Sequence, residues 1–233
     1  MLEPPKHQEE PASVEYIEEP RRAPAPPAPR HEAPRRPPGP IEIVAIGIST
    51  GGPNALREML PAIDANFPAP ILIVQHMPAG FTEEFAESLD RICPLEVREA
   101  KNGDLIQPGR VFIAPGDSHI TVEPKPLAKA VKLTNDPPMS GHRPSADVLF
   151  SSVAKVYGNR SLAVIMTGMG RDGATEIGSI YHEGGITLAQ DEGSSVVFGM
   201  PRAAIEAGVI TTVVPLSEMA QTINRLGREH PPQ

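Results

Sequence analysis

The stretch Ile43-Val-Ala-Ile-Gly-Ile-Ser-Thr-Gly-Gly-Pro53 restricts this chain more than any other, because an apolar, β-branched run stops abruptly at a hydroxyl flanked by glycines. Such a run reads as a buried strand. Pro53 brings the φ angle of a first helical turn, and Ala55, Leu56, Met59 and Leu60 recur at helical spacing, so the strand should pass through a tight turn into a helix. Ser49 would then stand above a sheet edge near the positive end of that helix, where backbone N–H groups stabilise charge developing on an oxygen. Gly47-Ile48-Ser49-Thr50-Gly51 also has the G-x-S-x-G spacing that lets a backbone turn sharply under a nucleophile. The same glycines suit a second reading, a phosphate-binding turn after the first strand of an α/β domain.

Proline sets how much chain can be built around this unit, since 12 of the 29 prolines precede Ile41. Residues 1–40 mix Pro, Glu, Arg and Ala with few apolar side chains and are expected to be a disordered linker or tail. Its charge runs from acidic (Glu3 to Glu19) to basic (Arg21 to Arg36), with one apolar island at Val14-Glu-Tyr-Ile17. Residues 41–233 suit one domain. The net charge of −8 comes with no basic stripe, which argues against a nucleic-acid partner. The single cysteine, Cys93, excludes an internal disulfide and lies in an apolar, structural context. No Cys/His cluster has metal-ligand spacing, so no metal or other cofactor is expected. With neither a membrane-spanning run nor a signal pattern, the expected location is cytoplasmic and not membrane-inserted.

Further apolar runs follow at Ile71–Gln75, Leu162–Met166, Ile186–Gln190 and Val209–Val214, alternating with helical patterns at Phe81/Phe85/Leu89/Ile92, Leu149/Val153/Val156, Pro201–Ala207 and Ser217–Leu226. That alternation predicts an α/β fold: a doubly wound, mostly parallel sheet with helices on both faces. Between Leu95 and Leu133 short runs separated by Asn102-Gly103, Pro108-Gly109 and Pro115-Gly116 read as a β-hairpin insertion.

Ser49, His76 and Asp172 each fall just past the carboxyl end of a different predicted strand, the edge at which open α/β sheets bind ligands. A nucleophilic serine needs a base, and the base needs a carboxylate to orient it and stabilise its cation. The order Ser, His, Asp differs from the Ser, acid, His order of the α/β-hydrolase fold, so the scaffold is another one. Asp172 could instead cap the helix that follows it, and His142 and Arg143 are loop residues that could line the site. The rival reading, a nucleotide- or phosphate-binding α/β module, fits less well. Gly47 to Gly52 matches neither the dinucleotide nor the Walker spacing, and Gln75-His76 offers no ribose-binding acid. A non-catalytic interaction domain would leave the convergence of Ser, His and Asp unexplained.

With those residues in view, residues 41–227 resemble the catalytic domain of the chemotaxis protein-glutamate methylesterase (CheB) family. The resemblance rests, in order, on Gly-Ile-Ser49-Thr-Gly-Gly-Pro, Val-Gln-His76-Met-Pro, Ile-Ala-Pro-Gly-Asp117, His142-Arg-Pro-Ser-Ala-Asp-Val-Leu-Phe150, Thr-Gly-Met169-Gly-Arg-Asp172-Gly and Val-Val-Phe-Gly-Met-Pro201-Arg. It implies hydrolysis of methyl esters on glutamates of methyl-accepting chemotaxis receptors, with release of methanol, and deamidation of certain receptor glutamines. By the same resemblance Ser49 is the nucleophile, His76 the general base and Asp172 its orienting acid, while Thr50 with Gly51 and Met169 with Gly170 line the oxyanion and substrate site. Two departures stand out. Regulated members carry an N-terminal receiver domain, expected to be absent from this chain, and Arg171 occupies a place where the family pattern has Asn.

Overall fold

The computed structural model describes residues 33–232. The acidic half of the tail and its Val14–Ile17 island lie outside the described residues. Residues 33–40, assigned to the tail on composition, carry hydrogen bonds: Arg35 N–H to the His182 carbonyl at 2.8 Å and Gly39 N–H to the Asn159 carbonyl at 2.9 Å.

The first apolar run forms β1 (Ile43–Ile48), and all six of its residues are buried. Because side chains alternate across a strand, Val44, Ile46 and Ile48 enter one core while Ile43 and Ala45 enter the other. The remaining elements are α1 (Gly52–Met59), β2 (Ile71–Gln75), α2 (Thr82–Asp90), β3 (Glu96–Glu99), β4 (Arg110–Ile113), β5 (His119–Pro124), β6 (Lys129–Thr134), α3 (Ala146–Tyr157), β7 (Ser161–Ile165), α4 (Glu176–His182), β8 (Ile186–Gln190), α5 (Met200–Glu206), β9 (Thr212–Val214) and α6 (Leu216–Glu229). Seven strands make one sheet in the order β3-β4-β2-β1-β7-β8-β9, and every pairing in it is parallel. Apolar faces of α1, α2 and α6 fill the core on one side. Helices α3, α4 and α5 fill the other with the β5–β6 hairpin. The sheet is therefore doubly wound, as alternating strands and helices require.

Two expectations are corrected. Only β5 and β6 form the inserted antiparallel hairpin; β3 and β4, expected to belong to it, join the parallel sheet at its edge. Both are four residues long, and β3 is only partly buried. An edge strand of that length has the alternating pattern of a hairpin strand rather than the continuous run of a covered one. Likewise Phe85 and Leu89 are buried on α2, but Phe81 and Ile92 are 60% and 48% exposed. The helix runs only from Thr82 to Asp90, so helical spacing does not reach them. Cys93 packs against the core, and burial, with the charge of Asp90 adding to it, pushes its thiol up to about 11. That makes it a structural side chain rather than a nucleophile.

Candidate active site

The chain leaves β1 for β2 on one side and reaches β7 on the other, so the sheet reverses its winding at β1, where doubly wound folds open a crevice at the strands' carboxyl ends. Ser49 sits there because β1 ends at Ile48 and the backbone turns through Gly51, whose φ of +83° lies in the left-handed region that suits glycine. A side chain at Gly51 would also meet Val196, which lies against it. The Ser49 N–H donates to the Thr167 carbonyl at 2.9 Å, tying the turn to the end of β7. In the β1–β2 register Ile48 pairs with Gln75, and the His76 N–H donates to the Ile48 carbonyl at 3.1 Å. Ser49 and His76 thus leave the sheet side by side. One amide braces both ends, since Gln75 Nε2 donates to the carbonyls of Ser49 at 3.1 Å and His76 at 3.0 Å.

Asp172 comes from the loop after β7, and its side chain is wholly buried. His76 Nε2 lies 2.7 Å from its Oδ2. An ionised carboxylate only accepts, so Nε2 carries the proton and Nδ1 presents a lone pair. That Nδ1 is buried and has no partner among the described residues. Asp172 also accepts from the hydroxyl of Ser145 at 2.6 Å and from the backbone N–H groups of Ala146 and Asp147 at 2.7 and 3.2 Å. It is a cap after all, but of α3, and not of the helix that follows it, which starts four residues later at Glu176. The arrangement is reciprocal, because Asp147 in the first turn of α3 accepts from the Glu176 N–H at 3.0 Å. Burial alone would push Asp172 up. Hydrogen bonds from His76, Ser145 and Ala146, with the His76 charge, outweigh it and hold the carboxyl below the ordinary aspartate range. Burial pushes Asp147 up, and the charge of Asp172 adds to the shift.

Gly47 brings α3 close enough for this. A Cβ there would lie 2.7 Å from Cβ of Ala146 and 3.2 Å from the Phe150 ring. Gly47→Ala is therefore expected to push the start of α3 off the sheet and to cost about 1–3 kcal/mol in chemical denaturation, as overpacking does. The donors that hold Asp172 should move with it.

The other candidates divide. Thr50, Gly51, Met169 and Gly170 lie in the two turns flanking Ser49 and Asp172, and none of their backbone N–H groups donates to a protein acceptor among the described residues. Thr167 Oγ1 joins those turns, donating to the Thr50 carbonyl at 2.9 Å and accepting from the Val197 N–H at 3.0 Å. The rim is apolar and open: Met169 is 71% and Val196 70% exposed. His142 reaches the site, with its ring 3.8 Å from that of His76 and 10° from parallel. Burial, then the His76 charge, push His142 down, while Asp172 opposes them. Arg143 turns away to Asp117 and to the carbonyls of Asn135 and Asp136. Asp191 is used in its own loop, accepting from Ser194. Arg171 is exposed. Sequence reasoning missed Gln75, Ser145, Thr167 and Gln190, which accepts from the Thr167 N–H at 2.9 Å. For both glutamines the signal was present: each is a long polar side chain closing a strand that is buried along its whole length. No group of three or more His, Cys, Asp and Glu among the described residues could hold a metal ion. No helix among them is long and apolar enough to cross a membrane.

A doubly wound parallel sheet with a serine beside a His–Asp pair at its switch point is the kind of scaffold and site on which serine hydrolases are built. The family model described as CheB methylesterase matches residues 44–223. This chain belongs to that family. It is 57% identical over 213 residues to a Treponema denticola protein named protein-glutamate methylesterase/protein-glutamine glutaminase, a match covering 91% of this chain and 57% of that protein. A Pyrococcus abyssi protein of the same name is 47% identical over 182 residues, covering 78% of this chain and 50% of its own length. The chain thus spans about half the length of such relatives. The crystal structure of the Thermotoga maritima CheB methylesterase catalytic domain superposes with a TM-score of 0.78 at 39% identity, covering 80% of this chain and 98% of that one. These relatives carry a hydrolase's name, and the nucleotide-binding alternative finds no support among them.

Proposed function

We propose that this chain hydrolyses γ-methyl esters of glutamate side chains on methyl-accepting chemotaxis receptors in the cytoplasm, and deamidates receptor glutamines by the same steps. The observation that carries the reading is the 2.7 Å His76–Asp172 bond, which leaves Nδ1 buried and without a partner among the described residues, on a histidine that follows the strand paired with the one ending before Ser49. His76 Nδ1 takes the Ser49 proton as Oγ attacks the ester carbonyl, and buried Asp172 stabilises the imidazolium. The backbone N–H groups of the Thr50–Gly51 and Met169–Gly170 turns donate to the oxyanion. Collapse passes the proton from His76 to the leaving oxygen, methanol departs, and water then cleaves the glutamyl ester on Ser49. With glutamine the leaving group is ammonia. An open apolar rim suits a side chain presented on a protein surface. Receptor peptides bearing a methyl-esterified glutamate and a glutamine test this by mass spectrometry: both should become glutamate, and an unchanged ester would overturn the reading.

The catalytic unit in this account is residues 41–233, with residues 1–40 a tether that takes no part in the chemistry; their composition supports this. Deleting 1–32 should leave small-ester turnover and melting temperature unchanged. Deleting 1–40 should keep turnover but lower the melting temperature, because the hydrogen bonds of Arg35 and Gly39 go with it. A large loss of turnover in the shorter deletion would contradict the assignment.

A further inference from the structure

We propose that His142 is a positioning residue, whose stacked ring fixes the plane of the His76 imidazole so that Nε2 stays on Asp172 while Nδ1 faces the serine. The inference rests on the esterase reading above. One hydrogen bond through Nε2 holds a single edge of the His76 ring, and Nδ1, which has no partner among the described residues, adds no second hydrogen bond to fix the ring plane. A flat ring at 3.8 Å and 10° supplies that constraint and covers one face from water. What His142 contributes is its face.

The loop that delivers this ring is pinned on both sides. Met139 and His142 exchange backbone hydrogen bonds of 3.0 and 2.9 Å, around Ser140 and Gly141 with φ of +53° and +80°. Two consecutive positive φ angles make a tight hairpin turn that accepts few sequences. Before the ring, the Ser140 hydroxyl donates to Asp147 Oδ2 at 3.0 Å. After it, Arg143 donates to Asp117 Oδ1 through Nε at 2.9 Å and to the carbonyls of Asn135 and Asp136 at 3.1 and 3.2 Å. Asp147 also receives the Glu176 N–H, so α3, α4 and the turn under His142 share one carboxylate. Burial and the neighbouring His76 charge both favour a neutral His142, so the stack persists without placing a second cation against the imidazolium formed in the reaction.

The test compares His142→Ala, His142→Leu and His142→Phe with wild type and Ser49→Ala, on a small carboxylic ester and by proton NMR of the His76 Nε2–H. Removing the flat ring, by alanine or by leucine that keeps the volume, should lower kcat about 10–100-fold at nearly constant KM, the scale of an imprecisely held catalytic group. Phenylalanine, flat but unable to titrate, should restore kcat to within about threefold of wild type. The downfield Nε2 proton should be sharp in wild type and the phenylalanine variant and exchange-broadened in the other two. Alanine and leucine variants with wild-type kcat and a sharp proton would overturn the proposal, as would a phenylalanine variant as impaired as alanine. Failure of the esterase reading looks different: wild type would be no faster than Ser49→Ala, and the proton signal alone would then decide whether His142 positions His76.

Discussion

Ser49→Ala is expected to lower ester hydrolysis by roughly four or more orders of magnitude while leaving the melting temperature almost unchanged. The two halves of that result have separate causes. Ser49 enters the hydrogen-bond network through its backbone, donating to Thr167 and accepting from Gln75 and Gly52, and alanine keeps all three bonds. In the proposed mechanism, deleting the hydroxyl removes the attacking atom itself, and with it the work of His76 and Asp172, which would act only as a unit with it. Turnover of a small ester together with a thermal melt checks both halves; activity within tenfold of wild type would assign the nucleophile elsewhere.

The second large effect belongs to Asp172→Asn, and the structure changes what that variant means. If Asp172 only capped its own helix, asparagine would be nearly as good and would cost well under about 1 kcal/mol. Instead the carboxylate takes four donors with two oxygens: His76 and Ala146 on Oδ2, Ser145 and Asp147 on Oδ1. An amide offers one accepting oxygen, so its NH2 must face the backbone N–H of either Ala146 or Asp147, which can only donate, and the fold should lose roughly 2–4 kcal/mol. Turnover should drop by up to about four orders of magnitude, because the amide stabilises no imidazolium and favours the wrong His76 tautomer. Exposed Arg171 supplies the control: Arg171→Asn should stay folded and active within about tenfold, since an exposed cation contributes about 0–1 kcal/mol. The sign of the pH dependence follows from the lowered Asp172 carboxyl. Its stabilising contribution is present above the ordinary aspartate range and is lost as pH falls through its lower folded value. Asp172→Asn should therefore flatten the acid limb of the wild-type stability curve.

The strands that position the site were legible because they are covered on both faces and read as unbroken apolar runs: β1, β2, β7 and β8 are buried along their whole length. Ser49, His76 and Asp172 were legible as polar residues a short way past such runs, and the structure joins two of them in the His76–Asp172 hydrogen bond. The edge strand β3 was misplaced because half-burial removes that signal, and its neighbour β4 was misplaced because a run of four residues between Gly-containing turns reads equally as a hairpin strand. What one-dimensional spacing does not carry is which helix start meets which carboxylate. The Asp172 cap depends on α3 sitting at Gly47, a contact between residues about a hundred positions apart. Ser145 and Gln75 escaped for a related reason, since each acts through another residue's backbone or carboxylate. His142 lies in a loop whose two anchors, Asp117 and Asp147, are meaningful only once the chain is folded.

Methanol released from a receptor preparation whose glutamates carry methyl esters, with wild type and Ser49→Ala run in parallel, tests the central claim most directly. The account predicts steady methanol release by the wild-type chain, with matching loss of ester from the receptor, and release by Ser49→Ala no faster than from receptor alone. Methanol released equally by both proteins, or by neither, would contradict it.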